Sequence, residues 1–535
     1  MTDWNFAEVW DRVAGATPSR TAVVQGSTRR SWGDFRARAA GVANGLRTAA
    51  QTRGDHGRRQ QKVALYLHNR PEYLESVYAA FMSRMVPVNT NFRFGPDELE
   101  YLWTNSDSEI VVFDASLTGA VEETRRRVPS VHTWVCVGGD VPPWAESYEA
   151  WALAPEGLAA TERSGDDVFM LYTGGTTGLP KGVEWRQDDM FCNLNATALH
   201  RYPENAPVDD VPALLPAEPP VHLTACPLMH GAGSITSMSA LSQGGTVVLL
   251  PSRSFSAVEL LDTVENERVR TVAITGDAIA RPVVDALDAE PARWDLSSLV
   301  YIVSSAVTWS AEVKERLRRH CPGVKLVDTL GASEGMGVGR SVTGSGAQKP
   351  VTGDFLPGRH TEVLGEDGLP VKPGSGEPGM LVVGGRQPLG YYKDPVRSAE
   401  VWRIIRGRRY ALTGDYATVE DDGSIKLMGR GSASINSGGE KIYPGEVEAV
   451  VRSHPGVRDV SVVGAPDDRF GEIVVAVVEP AADSGLSEAE LISYVKERLA
   501  RYKAPRRVVF VPQIARLANG KFDYARLKAQ VAESQ

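Results

Sequence analysis

VFMLYTGGTTGLPKG, Val168 to Gly182, is an apolar run that reads as a strand and passes straight into a stretch dense in Gly and Thr. Gly174, Gly175 and Gly178 with Thr173, Thr176 and Thr177 can turn successive backbone N–H groups and hydroxyls toward one anion, and Lys181 adds a positive charge. Those are the requirements for holding a polyphosphate. The spacing is not GxxxxGK[ST], so the Walker A loop is excluded. On these residues alone a polar, glycine-rich turn remains the competing reading.

Outward from this stretch, short β-rich runs alternate with helical patterns. KVALYLH from Lys62 precedes PEYLESVYAAFMSR, where Leu74, Val77, Tyr78 and Phe81 recur at helical spacing. EIVVFD from Glu109, GTVVLLP from Gly245 and LVYIVSS from Leu299 begin further units, the last followed by a charged helix through His320. Helices between strands predict an α/β fold of mainly parallel sheets. From about Phe355 to Lys426 the pattern becomes short strands punctuated by Gly and Pro, which predicts a separate β-rich subdomain of hairpins, drawn at 355–428. A Ser/Gly-rich stretch then precedes a helix opened by Pro444. Ser487 and Glu490 form a capping-box pattern before Leu491, Ile492, Val495 and Leu499. The expected division is therefore residues 1–430 and a compact α+β unit over 431–535. No internal repeat is visible, and the loop from Tyr202 to Pro220 is the nearest approach to low complexity.

The chain has 535 residues, with 58 Lys+Arg against 67 Asp+Glu, a net charge of −9, and 42% hydrophobic positions. Interspersed charges with an acidic balance argue against a nucleic-acid binder or a polybasic membrane anchor. Cys136, Cys192, Cys226 and Cys321 make no CxxC pair, so neither a thiolate zinc site nor a disulfide framework is expected. No membrane span or targeting segment is legible, and the expected compartment is the cytoplasm.

Four more motifs follow in order: LGASEG at Leu330–Gly335, TGD at Thr413–Asp415, GRGSASINSGGEKIYPGEVE from Gly429, and NGK at Asn519–Lys521. With YTGGTTGLPKG they resemble the adenylate-forming superfamily of acyl-CoA synthetases, luciferases and peptide-synthetase adenylation domains. VEWRQDDMF, CPLMHGAGS at Cys226–Ser234 and INSGGEKIYP look most like bacterial fatty-acyl and steroid side-chain acyl-CoA ligases. The resemblance implies a large N-terminal domain of stacked sheets, a small mobile C-terminal domain, and two half-reactions. A carboxylate attacks the α-phosphate of ATP to give an acyl-adenylate and pyrophosphate; the thiol of CoA then displaces AMP.

By that resemblance Thr173, Gly174, Gly175, Thr176, Thr177 and Lys181 hold the phosphates, and Glu334 brings Mg²⁺ to them, a hard cation suited to carboxylate and phosphate oxygens. Asp415, an acceptor-only group suited to a diol, and Arg430 take the ribose. Leu330, Gly331 and Ser333 border the nucleotide. Lys521 contacts the carboxylate and α-phosphate during adenylation. His230 gates the acyl pocket or orients the carboxylate, and Ser305, Ala306, Val307 and Gly331 line the nucleotide and acyl pockets. Gly438, Gly439 and Lys441 face the CoA tunnel after rotation about Ser432. Lys521, Glu334, Thr176 and His230 are the groups expected to act on the reacting atoms.

Two positions depart from the family pattern. Leu330 stands where an aromatic usually stacks on adenine, and Ser432 where Asp or Lys is the usual hinge. Two further matches point elsewhere. GASEG fits the GxSxG nucleophile elbow of hydrolases, but that elbow needs a helix directly after Ser333, and MGVGRSVTGSG does not read as one. GSGEPG at Gly374–Gly379 fits GxGxxG but carries Pro378 and runs into MLVVGG. The motifs are also compatible with other acceptors, namely a carrier protein or a nitrite-activating diazotase acting on an arylamine, and with a non-catalytic or hydrolytic relative. They leave the identity of the acid and the oligomeric state, a homodimer included, open.

Overall fold

The computed structural model describes residues 3–51, 60–154, 162–173, 179–305, 309–344, 353–430, 435–437, 440–467, 471–499, 501–516 and 522–534. The alternating pattern resolves into two large sheets and a smaller third. In the first, Thr21–Gln25, Thr246–Leu249, Val221–Thr224, Thr271–Ile274, Tyr301–Ser304 and Lys325–Ala332 run parallel in that spatial order. In the second, Lys62–Tyr66, Val86–Asn89, Ser108–Asp114, Thr133–Val137 and Val168–Thr173 are parallel. Val168–Thr173 then pairs antiparallel with Lys181–Arg186, so the glycine-rich stretch joins two adjacent strands. Strands such as Lys62–Tyr66 and Thr133–Val137 are buried at every position, which is why their runs are largely apolar.

The two sheets share one core. Val23, Val247 and Leu249 from the first and Val63, Leu65 and Val112 from the second belong to the same buried cluster as Phe6, Trp10 and Phe81, on helices packed between them. Helix Pro71–Met82 is buried at all of its positions. Its acid Glu75 is fully buried and accepts from Arg38 Nε at 2.8 Å, Tyr148 Oη at 3.1 Å and Arg30 Nε at 3.4 Å. Arg38 also grips Glu149 through both terminal nitrogens.

The β-rich segment is antiparallel, as its turns suggested, but it is not a separate sheet. After Lys325–Ala332 the chain folds back as Gly335–Thr343, which leaves an open edge; Asp354–Pro357 occupies it and Ile425–Arg430 continues the ladder. An unpaired edge is a row of unsatisfied donors and acceptors, and pairing is the cheapest way to satisfy them. One short helix, Pro395–Val401, interrupts the hairpins. The fold-back needs glycine at 335, because a Cβ there would lie 2.4 Å from Val383 Cγ1.

The third sheet is built only from residues after 434: Ile435–Ser437, Glu440–Ile442, Val457–Asp467, Gly471–Pro480 and Arg507–Phe510. Helix Pro444–Arg452 starts at Pro444, as its sequence implied. The Ser487 cap is half of the expected box. Ser487 Oγ accepts from the Glu490 N–H at 3.3 Å, while the Glu490 carboxylate turns to His454 at 3.5 Å, where an imidazole competes with the backbone for it. Among the described residues no helix is long and apolar enough to cross a membrane.

Removing Glu75 takes the Nε acceptor from the buried Arg38 guanidinium and leaves Glu149 as its carboxylate partner. Glu75→Ala is expected to destabilise the protein by about 3–5 kcal/mol, the usual cost of breaking a buried pair from one side, and Glu75→Gln by less. Calorimetric unfolding of the three proteins checks the order; equal midpoints would place the stability of this helix elsewhere.

Candidate functional site

The parallel strands of both large sheets end toward one cleft of about 2440 Å³, to which the third sheet also contributes. Thr173, the last residue of its strand, lies in its wall. A single carboxamide positions that strand end. Asn89, at the end of the all-buried strand Val86–Asn89, accepts from Tyr172 N at 2.7 Å and donates to Tyr172 O at 2.9 Å and to Met229 O at 2.7 Å. The strand that feeds the glycine-rich stretch and the residue before His230 are thus fastened to the same group. Asn69 performs the same task one loop away, donating to Cys226 O at 3.0 Å and accepting from Leu228 N at 2.7 Å.

His230 is the N-cap residue of helix Gly231–Ser242; its carbonyl accepts from the Gly233 and Ser234 N–H groups, both at 3.0 Å, and the residue lines the cleft. Ser305 follows strand Tyr301–Ser304 and lines the cleft as well. The strand ends beside it are cross-tied, with Ser304 Oγ accepting from Gly276 N at 3.0 Å and Ser304 O from Thr329 Oγ1 at 2.9 Å.

Leu330, Gly331, Ser333 and Glu334 all line the cleft at the fold-back between Lys325–Ala332 and Gly335–Thr343. A strand follows Ser333, so the nucleophile-elbow geometry is absent there. Leu330 is half-buried against the main core, alongside Met336 and Phe355. Three aromatic donors fix this turn. Trp185 Nε1 donates to Ser333 O at 3.0 Å, Trp402 Nε1 to Glu334 O at 3.1 Å, and Tyr391 Oη to Glu334 Oε1 at 2.8 Å. Burial, with the Glu334 carboxylate beside it, holds the Tyr391 phenol far above its ordinary pKa, so it stays a donor over the working range.

Lys181 stands just outside the cleft wall but joins the same group. Its Nζ is 5.2 Å from the Tyr391 ring centre and 3.6 Å from Asp394 Oδ2. Tyr391 therefore lies between the cation and the carboxylate that the sequence singled out. Asp415, half-buried in the cleft, donates its N–H to Thr413 Oγ1 at 3.1 Å and faces Arg430 across the antiparallel ladder. The side chains of Arg430 and Lys441 lie outside the described residues, as do Gly174, Gly175, Thr176, Thr177, Gly178, Ala306, Val307, Ser432, Gly438, Gly439 and Lys521. Arg516 and Phe522, which flank the stretch that holds Lys521, pair in an antiparallel bridge and both line the cleft.

Asn69, Asn89, Trp185, Tyr391 and Trp402 escaped the sequence reading. A signal existed for Asn89, a polar residue closing the apolar run VPVN, and for Tyr391 in GYYKDP, where two aromatics follow a glycine.

The AMP-binding enzyme family model matches residues 10–392, and the AMP-binding enzyme C-terminal domain model matches residues 446–521. A medium/long-chain-fatty-acid–CoA/3-oxocholest-4-en-26-oate–CoA ligase of Mycobacterium tuberculosis is 38% identical over 534 residues, covering 98% of this chain and 96% of the relative. A 3-oxocholest-4-en-26-oate–CoA ligase of Rhodococcus rhodochrous is 37% identical, with coverages of 98% and 96%. The fold matches an anthranilate CoA ligase solved with anthranoyl-AMP, at a TM-score of 0.82 and 21% identity over 100% of this chain and 99% of that one.

Tyr391→Phe keeps the ring under Lys181 and removes the donor to Glu334. A hydrogen bond to a charged group contributes about 1.5–3 kcal/mol, so ATP-dependent turnover is expected to fall about 10- to 100-fold at full enzyme saturation with acid. Unchanged turnover would show that the Tyr391–Glu334 bond is incidental.

Proposed function

We infer that this chain, which belongs to the AMP-binding enzyme family, is an ATP-dependent, AMP-forming acyl-CoA ligase acting on a hydrophobic or ring-containing carboxylic acid. The observation that carries the reading is convergence. Thr173, His230, Glu334 and Asp415, drawn from both large sheets and the hairpin region, share one cleft with Arg516 and Phe522 beside the NGK motif. Relatives named for medium- and long-chain fatty acids and for 3-oxocholest-4-en-26-oate support a large apolar acid, and CoA as the acceptor over a carrier protein or a nitrite-derived species.

The work of the residues follows from their chemistry. Adenylation gathers anionic groups, so the chain must supply positive charge, donors and orientation, and its catalysis is mainly positioning and electrostatics. Thr173 presents its hydroxyl at the strand end, and Lys181 offers its charge beside Tyr391. Asp415 accepts the two ribose hydroxyls, which a carboxylate can do with separate oxygens. Glu334 is the carboxylate fitted to Mg²⁺: it is half-buried in the cleft and held by the Tyr391 phenol, while among the described residues no group of three or more metal-ligating side chains forms a protein cage. A hard cation that takes most of its ligands from phosphate and water suits such a site, and when bound it supplies charge neutralisation. His230 sits between the Asn89 clamp and the acyl side of the cleft and orients the carboxylate. Lys521 contacts the carboxylate and the α-phosphate in the first half-reaction and is withdrawn for the second, with Ser432 as pivot and Gly438, Gly439 and Lys441 brought to the thiol. Reduced thiols, a cytosolic nucleotide supply and free CoA make the cytoplasm the fitting compartment.

Lys521→Ala is expected to suppress adenylation by roughly 100- to 1,000-fold, the usual effect of deleting one positioned electrostatic donor, while thioester formation from a supplied acyl-adenylate survives. Equal loss in both half-reactions would make Lys521 structural. For the whole reading, AMP release with ATP and a panel of fatty and ring-containing acids should rise severalfold on adding CoA, because thiolysis clears the adenylate. If CoA changes nothing while nitrite with an arylamine drives AMP release, the ligase reading fails.

A further inference from the structure

The acyl side of the cleft is walled by four neighbouring parallel strands whose register stacks their cleft-facing residues in rows. His222 is paired with Thr271, Thr271 with Tyr301, and Tyr301 with Lys325, so these four form one row across the sheet. Two residues on, Thr224, Ala273, Val303 and Val327 form a second, mostly apolar row. Two further on, Thr275, Ser305 and Thr329 close the strands near His230 and Gly331, and all of these residues line the cleft. The alternate positions Leu223, Val272, Ile302 and Leu326 belong to the core behind the sheet. The wall is therefore polar at the reacting end, apolar in the middle, and polar again at the far end.

A purely apolar acid has no use for the far row. One of its members, His222, is costly to keep there. His222 is 4% exposed, its Nδ1 is 2.8 Å from Thr271 Oγ1, and its Nε2 is buried with no hydrogen-bond partner among the described residues. Burial pushes its imidazole down to about 4, so at neutral pH the ring is uncharged, with one donor and one acceptor nitrogen. Beside it, Lys325 Nζ lies 5.4 Å from the Tyr301 ring centre and the lysine is exposed to the cleft. A buried polar atom without a partner forfeits its hydration and gains nothing in return. Apolar side chains would line the floor of a fatty-acid tunnel without that penalty.

We propose that the acid carries an oxygen function, a hydroxyl, ketone or second carboxylate, at the end remote from its reacting carboxyl, and that the row His222–Thr271–Tyr301–Lys325 receives it. The proposal rests on the acyl-CoA ligase reading and narrows its substrate class. Four residues of strand separate the far row from the near one, about 13 Å at 3.3 Å per residue, which sets the reach between the two polar ends. The row presents donors in Tyr301 and Lys325 and a neutral imidazole that can donate or accept, so an uncharged oxygen suffices and an anionic one also pairs with Lys325.

The test compares decanoate, ω-hydroxydecanoate and decanedioate by AMP release with ATP and CoA. The wild-type kcat/KM should favour the oxygenated acids over decanoate by at least tenfold. His222→Leu and Tyr301→Phe should bring the hydroxy-acid ratio toward one, and Lys325→Met, at an exposed position with little bearing on folding, should lower the ratio for decanedioate in particular. A wild-type ratio at or below one, or ratios that none of the three substitutions moves, overturns the proposal. Calorimetric binding of the same acids to the unreacted enzyme separates the two readings. If no acid yields AMP yet the oxygenated ones bind more tightly through this row, the ligase assignment fails and the polar row stands. If AMP forms and rises with CoA but decanoate binds as well as ω-hydroxydecanoate, the ligase assignment stands and the row is structural.

Discussion

A parallel strand ends by releasing backbone N–H and C=O groups that no neighbour in the sheet can take up, and a site built at such ends is only as well positioned as whatever satisfies them. Here the Asn89 carboxamide does so for the strand that carries Tyr172 and Thr173, and with the same nitrogen it holds Met229, next to His230. An amide suits the task because it has a donor and an acceptor side, and the two carbonyls and one N–H around it leave a single sensible orientation. Because Asn89 is buried, these bonds form where water cannot compete, and each lost partner would carry its full desolvation cost. The spacing between the end of the Val168–Thr173 strand and the start of the His230 helix is thereby set by one side chain.

The charged part of the site is handled differently. Glu334 sits on a sharp fold-back, where backbone bonds alone would leave the turn loose, and it is held by indole and phenol donors from three strands distant in sequence. Aromatic donors fill the space around the turn, exclude water, and still give one directed hydrogen bond each. Tyr391 adds a second function, since its face lies near Lys181 while its hydroxyl meets Glu334. A lysine and a glutamate in direct contact would neutralise one another. With a ring between them they stay apart, and Lys181 pairs with Asp394 at 3.6 Å instead.

What the sequence disclosed and what it hid follow from the range of each interaction. VFMLYT, KVALYLH and LVYIVSS announce themselves because a buried strand must be apolar wherever it runs, and the helix at Pro71 because one face repeats every three to four residues. The motifs at Thr173, Glu334 and Asp415 were legible as local strings, and the fold brings those residues to one cleft. The attachment of the β-rich segment to the first sheet was not legible, because it depends on which edge Gly335–Thr343 leaves open, a fact about pairing between distant strands. Trp185 and Trp402 were hidden for the same reason: a lone aromatic looks like core until its N–H is seen to have a destination. Glu490 shows the converse, a local capping pattern half overridden by a distant imidazole.

A parallel sheet discriminates by depth. Side chains on one face recur every second residue, so a change of chemistry along a strand is a change of depth in the cleft, and the register copies it across all neighbours at once. Thr275, Ser305 and Thr329 lie at the strand ends, and polarity there fits the proposed reaction. Ala273, Val303 and Val327 lie at the depth of an apolar skeleton. His222, Thr271, Tyr301 and Lys325 lie deeper than either need extends. Lys325 is exposed there, but the buried His222 Nε2 has no hydrogen-bond partner among the described residues and serves no step of adenylation, so the ligand, rather than the chemistry common to the family, is the more economical explanation of it.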